Sequence, residues 1–317
     1  MTLSEKRTFD AYSSKRISFI LITKNRAEYL QKTLELHREL VHPDDELIVI
    51  DGLSSDNTAG IVSGYPDIVD VFISEPDKNA THAVNKGIVI SRGRYIKHLA
   101  DDDVIYPEAM EQAIETLEKH PEVDLLVCGG IRQVGEHSSA VYIPPGVNYG
   151  NNTRDVFKHG ACGTGFVIRR SSLAKIDLFY QDNLVSDNEF ALRAISRGAN
   201  VKFCRINLFH HPIISHSVTA SHHRGWERDR NRLLRQYCSF WFYCWYRWLR
   251  PLRWYYVTRW LNRSLVTAFF KVPGTLGAAR ALRKIVRSAT GGTQTTQTVG
   301  VRMPEEPLCN IWDGGFS

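Results

Sequence analysis

From Ile17 to Asp103 the chain alternates short apolar runs with amphipathic helical segments, and this alternation limits its fold more than any other feature. ISFILIT (residues 17–23) and ELIVIDG (46–52) are near-continuous apolar runs, the mark of parallel strands covered on both faces. Between them, AEYLQKTLELHREL (27–40) sets Leu30, Leu34 and Leu40, with Ala27 and Thr33 nearby, on one side at helical spacing, and HPDD breaks the pattern. SSDNTAGIVSGY reads as a short helix capped by Ser54 or Ser55. DVFISEP (70–76) reads as a third strand, THAVNKGIVIS (81–91) as a third helix and RYIKHLADDD (94–103) as a fourth strand. The alternation predicts an α/β domain built on an open, mostly parallel, Rossmann-like sheet with helices on both faces. Ligands of such sheets sit at the carboxyl ends of the strands. Here those ends carry Thr23, Asp51, Glu75 with Asp77, and Asp101 to Asp103, so polar groups gather along one edge.

Farther on, residues 106–120 read as a helix, DLLVCGG as a strand, and the polar stretch 133–160 as a long loop or small hairpin. GTGFVIRRSSLAKI (163–176) reads as a strand and a short helix. SDNEFALRAISRG (186–198) reads as a helix ending at Gly198, and NVKFCRINLFHH as a further strand. No repeat of solenoid length is present.

With 43% hydrophobic and 23% charged residues, the 317-residue chain can bury a substantial core, which excludes wholesale disorder and a lone binding module. Its six cysteines are scattered, with no CxxC pair, so neither a disulfide framework nor a structural metal cluster is expected. The net charge of +6 hides a split: residues 1–223 hold 24 Lys and Arg against 29 Asp and Glu, and residues 224–317 hold 16 against 5. An acidic body suits carboxylates that hold a cation, and a basic end suits an anionic surface.

Residues 224–263 contain ten arginines and six of the seven tryptophans. Within them YCSFWFYCWYRW (237–248) is too short for the about 20 apolar residues that span a bilayer, so it is expected to lie on a membrane. Arginine with stacking aromatics also serves RNA, and packing within a helical domain is a third reading; an anionic membrane surface is favoured and nucleic acid is not expected. The N-terminal residues lack an apolar signal-peptide core, which places the chain on the cytoplasmic side, peripherally attached. The expected division is a tail at 1–16, the α/β domain at 17–221, a helical amphipathic region at 222–287 and a flexible tail at 288–317.

Three adjacent carboxylates at Asp101, Asp102 and Asp103 repel one another unless a cation neutralises them. Mg²⁺ or Mn²⁺ bridging to a diphosphate is the usual solution. A solvated acidic turn ahead of a helix opened by Pro107 is the plain alternative, and position after the fourth strand favours the cation.

These segments, taken in order, resemble family 2 glycosyltransferases of the GT-A fold. ISFILITKNRAEYLQKTLEL resembles the opening strand and helix, and ELIVIDGLSSDNT the strand ending in an aspartate. SEPDKNATHAVNKGIVISRGRYIKHLADDD resembles the segment that ends in metal-binding acids, and SDNEFALRAISRG the late acidic helix. The resemblance implies that Thr23 and Asp51 contact the nucleotide and that Lys78 meets phosphate or ribose, beside Asp77, Asn85 and Gly87. The commonest metal motif has an acid where Ala100 stands. Asp102 therefore leads as metal ligand, with Asp103 and Asp101 supporting and Asp101 on the nucleotide side. Among His210, His211 and His216, His211 is placed first to complete the metal site. Asp187 matches the general base that takes the acceptor proton while the diphosphate leaves from the opposite face. Glu189 is its rival; at helical spacing the two point about 200° apart, so only one can face a cleft. Gly163 and Gly165, after His159, form either a close-approach wall beside the sugar or an ordinary turn.

The expected activity is inverting transfer of a sugar from a nucleotide-diphosphate donor to an acceptor hydroxyl, on a lipid-linked or surface glycan, with Mn²⁺ or Mg²⁺. The rivals are a sugar nucleotidyltransferase, which normally has a Gly-rich loop where TKNRAEYL has none, and a non-catalytic membrane or RNA adaptor.

Overall fold

Strand β1 (Lys15–Thr23) is central because it is apolar on both faces, with Ile17, Phe19, Ile20 and Leu21 fully buried. The computed structural model describes residues 13–134, 138–142, 152–213 and 223–249. His216, the tail at 288–317 and the amphipathic region beyond residue 249 lie outside these described residues. Parallel pairing joins β1 to β2 (Glu46–Asp51) on one side and to β4 (Gly93–Ala100) on the other, with β3 (Val71–Ser74) outside β2. Register aligns the carboxyl ends: Thr23 lies opposite Asp51, Asp51 opposite Ser74, and Ile22 opposite Ala100. The chain moves outward from β1 to β3 and returns to β4 on the far side, so a topological switch point falls between β1 and β4. A crevice opens at such a point at the strand ends.

Beyond β4 the order is β8 (Phe166–Arg169), β6 (Leu125–Val134), β9 (Val201–Ile213) and β5 (Val104–Ile105), with β7 (Ser138–Tyr142) on β6. Four neighbouring pairs are parallel and four antiparallel, which corrects the expectation of a mostly parallel sheet to a mixed one. A parallel neighbour needs a long crossover. β8 instead enters from a single 3₁₀ turn, Gly163–Gly165, and runs antiparallel to both β4 and β6. The polar stretch after residue 133 contains the β6–β7 hairpin and helix α5 below.

The helices cover the sheet with their apolar stripes. α1 (Ala27–Leu40) buries Leu30, Thr33, Leu34, His37 and Leu40, in line with the periodicity of the sequence. α2 (Thr58–Ser63), α3 (Ala80–Ile90), α4 (Pro107–Lys119), α5 (Thr153–His159), α6 (Leu173–Ile176) and α7 (Ser186–Ser196) follow. The cap ahead of α2 is not Ser54 or Ser55. Asp56 Oδ1 accepts from the amide and hydroxyl of Thr58, while its Oδ2 accepts the Ala27 amide at the start of α1, so one carboxylate caps two helices.

Strand β4 stops at Ala100, short of the expected Asp103, because the chain turns back on itself: Asp103 N donates to Ala100 O and Ala100 N donates to Asp103 Oδ2. The two-residue β5 then pairs with β9, setting Val104 opposite His210. The described residues form two compact units that divide between Leu233 and Leu234. Helix α8 (His223–Tyr237) crosses that boundary. The second unit continues with α9 (Phe240–Cys244), started by the Ser239 hydroxyl, and a π turn at Trp245–Leu249.

Candidate active site

The end of β1 and the turn after β4 meet through side chains. Thr23 Oγ1 donates to Asp101 Oδ2 at 2.8 Å, and Thr33 on α1 donates to the Asp101 carbonyl at 2.6 Å. Arg26 spans two acids, with Nη1 2.8 Å from Asp101 Oδ1 and Nη2 2.8 Å from Asp102 Oδ2. Burial pushes the Asp101 carboxyl up to about 7, against the pull of Arg26 and of the Thr23 hydrogen bond.

Asp103 is held differently. Burial works to raise its pKa, but the hydrogen bond and charge of His211, the Ala100 amide and the Lys97 ammonium outweigh it and leave the carboxyl below its ordinary range. His211 Nδ1 lies 2.6 Å from Asp103 Oδ1, a contact set up by the β5–β9 pairing one residue away. Asp102, Asp103 and His211 each offer a ligand atom, all within 4.8 Å of one another, a carboxylate and imidazole set that suits Mn²⁺ better than Mg²⁺. His210, the other described histidine of this pair, is opposite Val104, and burial lowers its pKa.

Asp51 is almost fully buried, and its carboxylate accepts from the Ser54 amide and hydroxyl and from the Ser74 hydroxyl. That loop is locked to the β1 end, since Asn25 N donates to Ser54 Oγ and Ser55 N to Asn25 Oδ1. Asn25 and Leu53 both take left-handed backbone, with φ of 52° and 61°. Lys78 is exposed in the loop between β3 and α3. Asp77 is tucked beside Gly52 and 3.6 Å from the Lys24 ammonium. Asn85 is not brought to the carboxylates: its Nδ2 donates to Phe179 O and its Oδ1 accepts from Phe179 N, so its amide fastens the 177–181 segment to α3.

Asp187 and Glu189 diverge, as helical spacing requires. Glu189 is buried in a two-pronged ion pair with Arg193 at 2.9 and 3.0 Å. Asp187, half-buried in the first turn of α7, accepts from the Gly163 amide at 2.8 Å, and its neighbour Asn188 accepts from Ala161 N. A Cβ on Gly163 would stand 2.6 Å from Asp187 Oδ1 and 2.8 Å from His98 Nε2, so only glycine lets these groups approach. The next residue, Thr164, reaches Asp103 Oδ2 at 3.4 Å. The turn thus joins the base expected on α7 to the acids expected to hold metal.

Beneath lie groups that the apolar pattern concealed. Lys97 is fully buried on β4, its ammonium donating to the carbonyls of His98 and Thr164 at 2.8 and 2.7 Å; burial pushes its pKa down to about 8. His98 packs edge-on against Phe166 and Phe179, and burial holds its pKa near 3. His98 is half-buried, with its Nδ1 atom buried; His37, fully buried, sits near 4 for the same reason. A lysine and a histidine inside RYIKHLA were the available signal, since a strand covered on both faces has little reason to carry them.

Residues 18–177 match the sequence profile described as Glycosyl transferase family 2. An uncharacterized glycosyltransferase of Rickettsia prowazekii is 27% identical over 141 residues, 44% of each chain. The poly-beta-1,6-N-acetyl-D-glucosamine synthase of Staphylococcus epidermidis is 35% identical over 109 residues, 34% of this chain and 26% of the synthase. This chain therefore spans less than half the length of these relatives. Among solved structures, S. aureus TarS 1–349 in complex with UDP-GlcNAc is similar at a TM-score of 0.58 and 15% identity, over 70% of this chain and 66% of that one. The mannosyltransferase PcManGT of Pyrobaculum calidifontis, solved with GDP-Man and Mn²⁺, is similar at 0.55 and 16% identity over 91% and 87%. At those identities the structural likeness speaks to the fold, a mixed α/β sheet of the GT-A kind. With half of its length matched to the family profile, the chain belongs to glycosyltransferase family 2.

Proposed function

We propose that this chain transfers a sugar from a nucleotide-diphosphate donor to an acceptor hydroxyl, with inversion, in a single displacement. The observation that carries this reading is the shared turn, Gly163 bound to Asp187 and Thr164 to Asp103. In it, Asp187 takes the acceptor proton, its carboxylate fixed in place by the hydrogen bond from the Gly163 amide. Thr23, Asp51, Lys78 and Asp101 seat the nucleotide at the strand ends. Asp102, Asp103 and His211 hold a divalent cation, which when bound supplies positive charge to the departing diphosphate. The Mn²⁺ of PcManGT and the nucleotide sugars of TarS and PcManGT support the same donor chemistry. A relative named as a poly-beta-1,6-N-acetyl-D-glucosamine synthase supports a glycan acceptor, which we propose is lipid-linked or at the cell surface.

The test is a panel of nucleotide sugars scored by calorimetry with Mn²⁺, followed by NMR of the product. Turnover of one donor with an anomeric coupling constant showing inversion is expected. Retention would exclude single displacement by Asp187.

We propose also that the aromatic and arginine-rich region rests on an anionic membrane surface at its cytoplasmic side. In its described part Phe240, Trp241 and Trp248 are 70, 80 and 62% exposed, close in sequence to Arg235 and Arg247. Among the described residues no helix is long and apolar enough to cross a membrane. Replacing the three aromatics by alanine should release the protein from phosphatidylglycerol vesicles in a sedimentation assay; undiminished binding overturns the attachment.

A further inference from the structure

Arg26 sits against the carboxylates that the proposed chemistry reserves for a cation. Its guanidinium does not grip one acid with both arms; it lies across two, one nitrogen on Asp101 and the other on Asp102, each at 2.8 Å. Asp102 is also one of the three side chains whose ligand atoms cluster with Asp103 and His211. A divalent cation at that cluster would therefore share the Asp102 carboxylate with a second positive charge a few ångströms away, and like charges so close repel.

The backbone of this loop has little freedom to relieve the conflict. Asn25 is fixed in left-handed conformation, its amide held by Ser54 and its side chain by Ser55, and the Ala27 amide is capped by Asp56. The side chain can move. It is 30% exposed, and its guanidinium carbon lies 4.6 Å from the centre of the Tyr29 ring, a flat platform over which a planar cation can slide. A guanidinium matches phosphate oxygens as well as it matches carboxylates.

We propose that Arg26 is an exchangeable cation of the site: without metal it neutralises Asp101 and Asp102, and when metal and nucleotide diphosphate bind it passes from Asp102 to a diphosphate oxygen. The inference rests on the metal-assisted reading above and adds a positioning residue to it. No covalent bond changes; one ion pair is exchanged for another.

The test measures binding alone. Mn²⁺ affinity of the full chain is read by electron paramagnetic resonance of the free ion, and UDP and GDP affinities of the Mn²⁺-loaded chain by calorimetry, for wild type, Arg26→Met and Arg26→Lys. Removing the competing charge in Arg26→Met should tighten Mn²⁺ binding by about threefold to fivefold. It should also weaken binding of whichever diphosphate the wild type prefers by about tenfold. A side chain that merely supported the fold would weaken both. Arg26→Lys should keep wild-type Mn²⁺ affinity, because the competing charge stays, yet lose diphosphate affinity, because the fork is gone; this variant carries the test if Arg26→Met fails to fold. Unchanged or weaker Mn²⁺ binding in Arg26→Met, or unchanged diphosphate binding in either variant, overturns the role of Arg26. Wild-type protein that binds no Mn²⁺ with or without nucleotide overturns the metal reading itself, and the exchange with it.

Discussion

Asp187 and Asp103 are anchored to consecutive residues, the first by the Gly163 amide at 2.8 Å and the second by the Thr164 hydroxyl at 3.4 Å. The two carboxylates come from elements 84 positions apart, the turn after β4 and the first turn of α7. What unites them is a 3₁₀ turn that Lys97 ties from below through the Thr164 carbonyl. In the proposed reaction, proton acceptance and diphosphate departure would be separated by one residue of backbone rather than by a hinge, which suits a reaction that needs fixed geometry.

This relationship makes Asp187→Asn informative. The amide keeps the shape and can still accept from Gly163 N, but it cannot take a proton. We expect kcat to fall by about 10² to 10⁴, with donor KM and melting temperature near wild type. Glu189→Gln should do the reverse, lowering the melting temperature by breaking a buried pair with Arg193 while leaving donor KM in place. Steady-state kinetics beside thermal melts check both; full activity of Asp187→Asn would remove it from the chemistry.

Gly163→Ala tests the closeness of the approach. The added methyl meets Asp187 Oδ1 and His98 Nε2 at 2.6 and 2.8 Å, so one of them has to move. Overpacking of this kind costs about 1–3 kcal/mol. Because Asp187 is half-buried and His98 is wedged between Phe166 and Phe179, Asp187 should yield, and kcat should drop more than stability does. Melting curves and kinetics on the same sample separate the two effects.

Chelation should abolish donor turnover and Mn²⁺ restore it. His211→Gln should then raise the Mn²⁺ concentration needed for half-maximal recovery by roughly tenfold, since the imidazole either ligates the ion or holds Asp103 at 2.6 Å. Undiminished turnover in chelator would dismiss the cation.

The half of the site that lies on parallel strands was legible in the residues. Continuous apolar runs forced β1, β2 and β4 side by side, and the register that follows sets Thr23 opposite Asp51 and ends β4 at Ala100 beside the acids. The half built by long-range pairing was not. No local pattern announces that β8 enters antiparallel from a 3₁₀ turn, or that β5 is what brings His211 to Asp103 across 108 positions, a meeting expected only from the family resemblance. The resemblance set Asn85 beside the nucleotide, and its amide bonds to Phe179; Arg26 drew no notice although it contacts two of the acids, because periodicity places side chains on faces but does not choose their partners. Asp56 escaped for a related reason: capping preferences rank neighbouring residues, and its service to α1 comes from another loop.

Histidines whose pKa values desolvation lowers give a pH dependence with a definite sign. His37 and His98 have folded pKa values near 4 and 3, lowered by burial from 6.5, and one ring nitrogen of each lacks a hydrogen-bond partner. As pH falls below about 6.5 the unfolded chain takes up protons at both rings while the folded chain does not, so each histidine makes the protein less stable with acidification until the folded pKa is reached. Asp101 acts oppositely: its carboxyl, raised to about 7 from 3.8, is protonated in the folded chain first, which favours folding as pH drops through 7 towards 4. His210, whose pKa burial also lowers, works in the same direction as His37 and His98, so three histidines stand against one carboxyl and the protein loses stability as pH falls from 6 to 5. In chelating buffer, His98→Phe, which retains ring packing on Phe166 and Phe179, should make that slope shallower. Adding His37→Leu should make it shallower again. Melting curves at the two pH values decide the matter, and a double variant that keeps the wild-type slope would show that other groups govern the response.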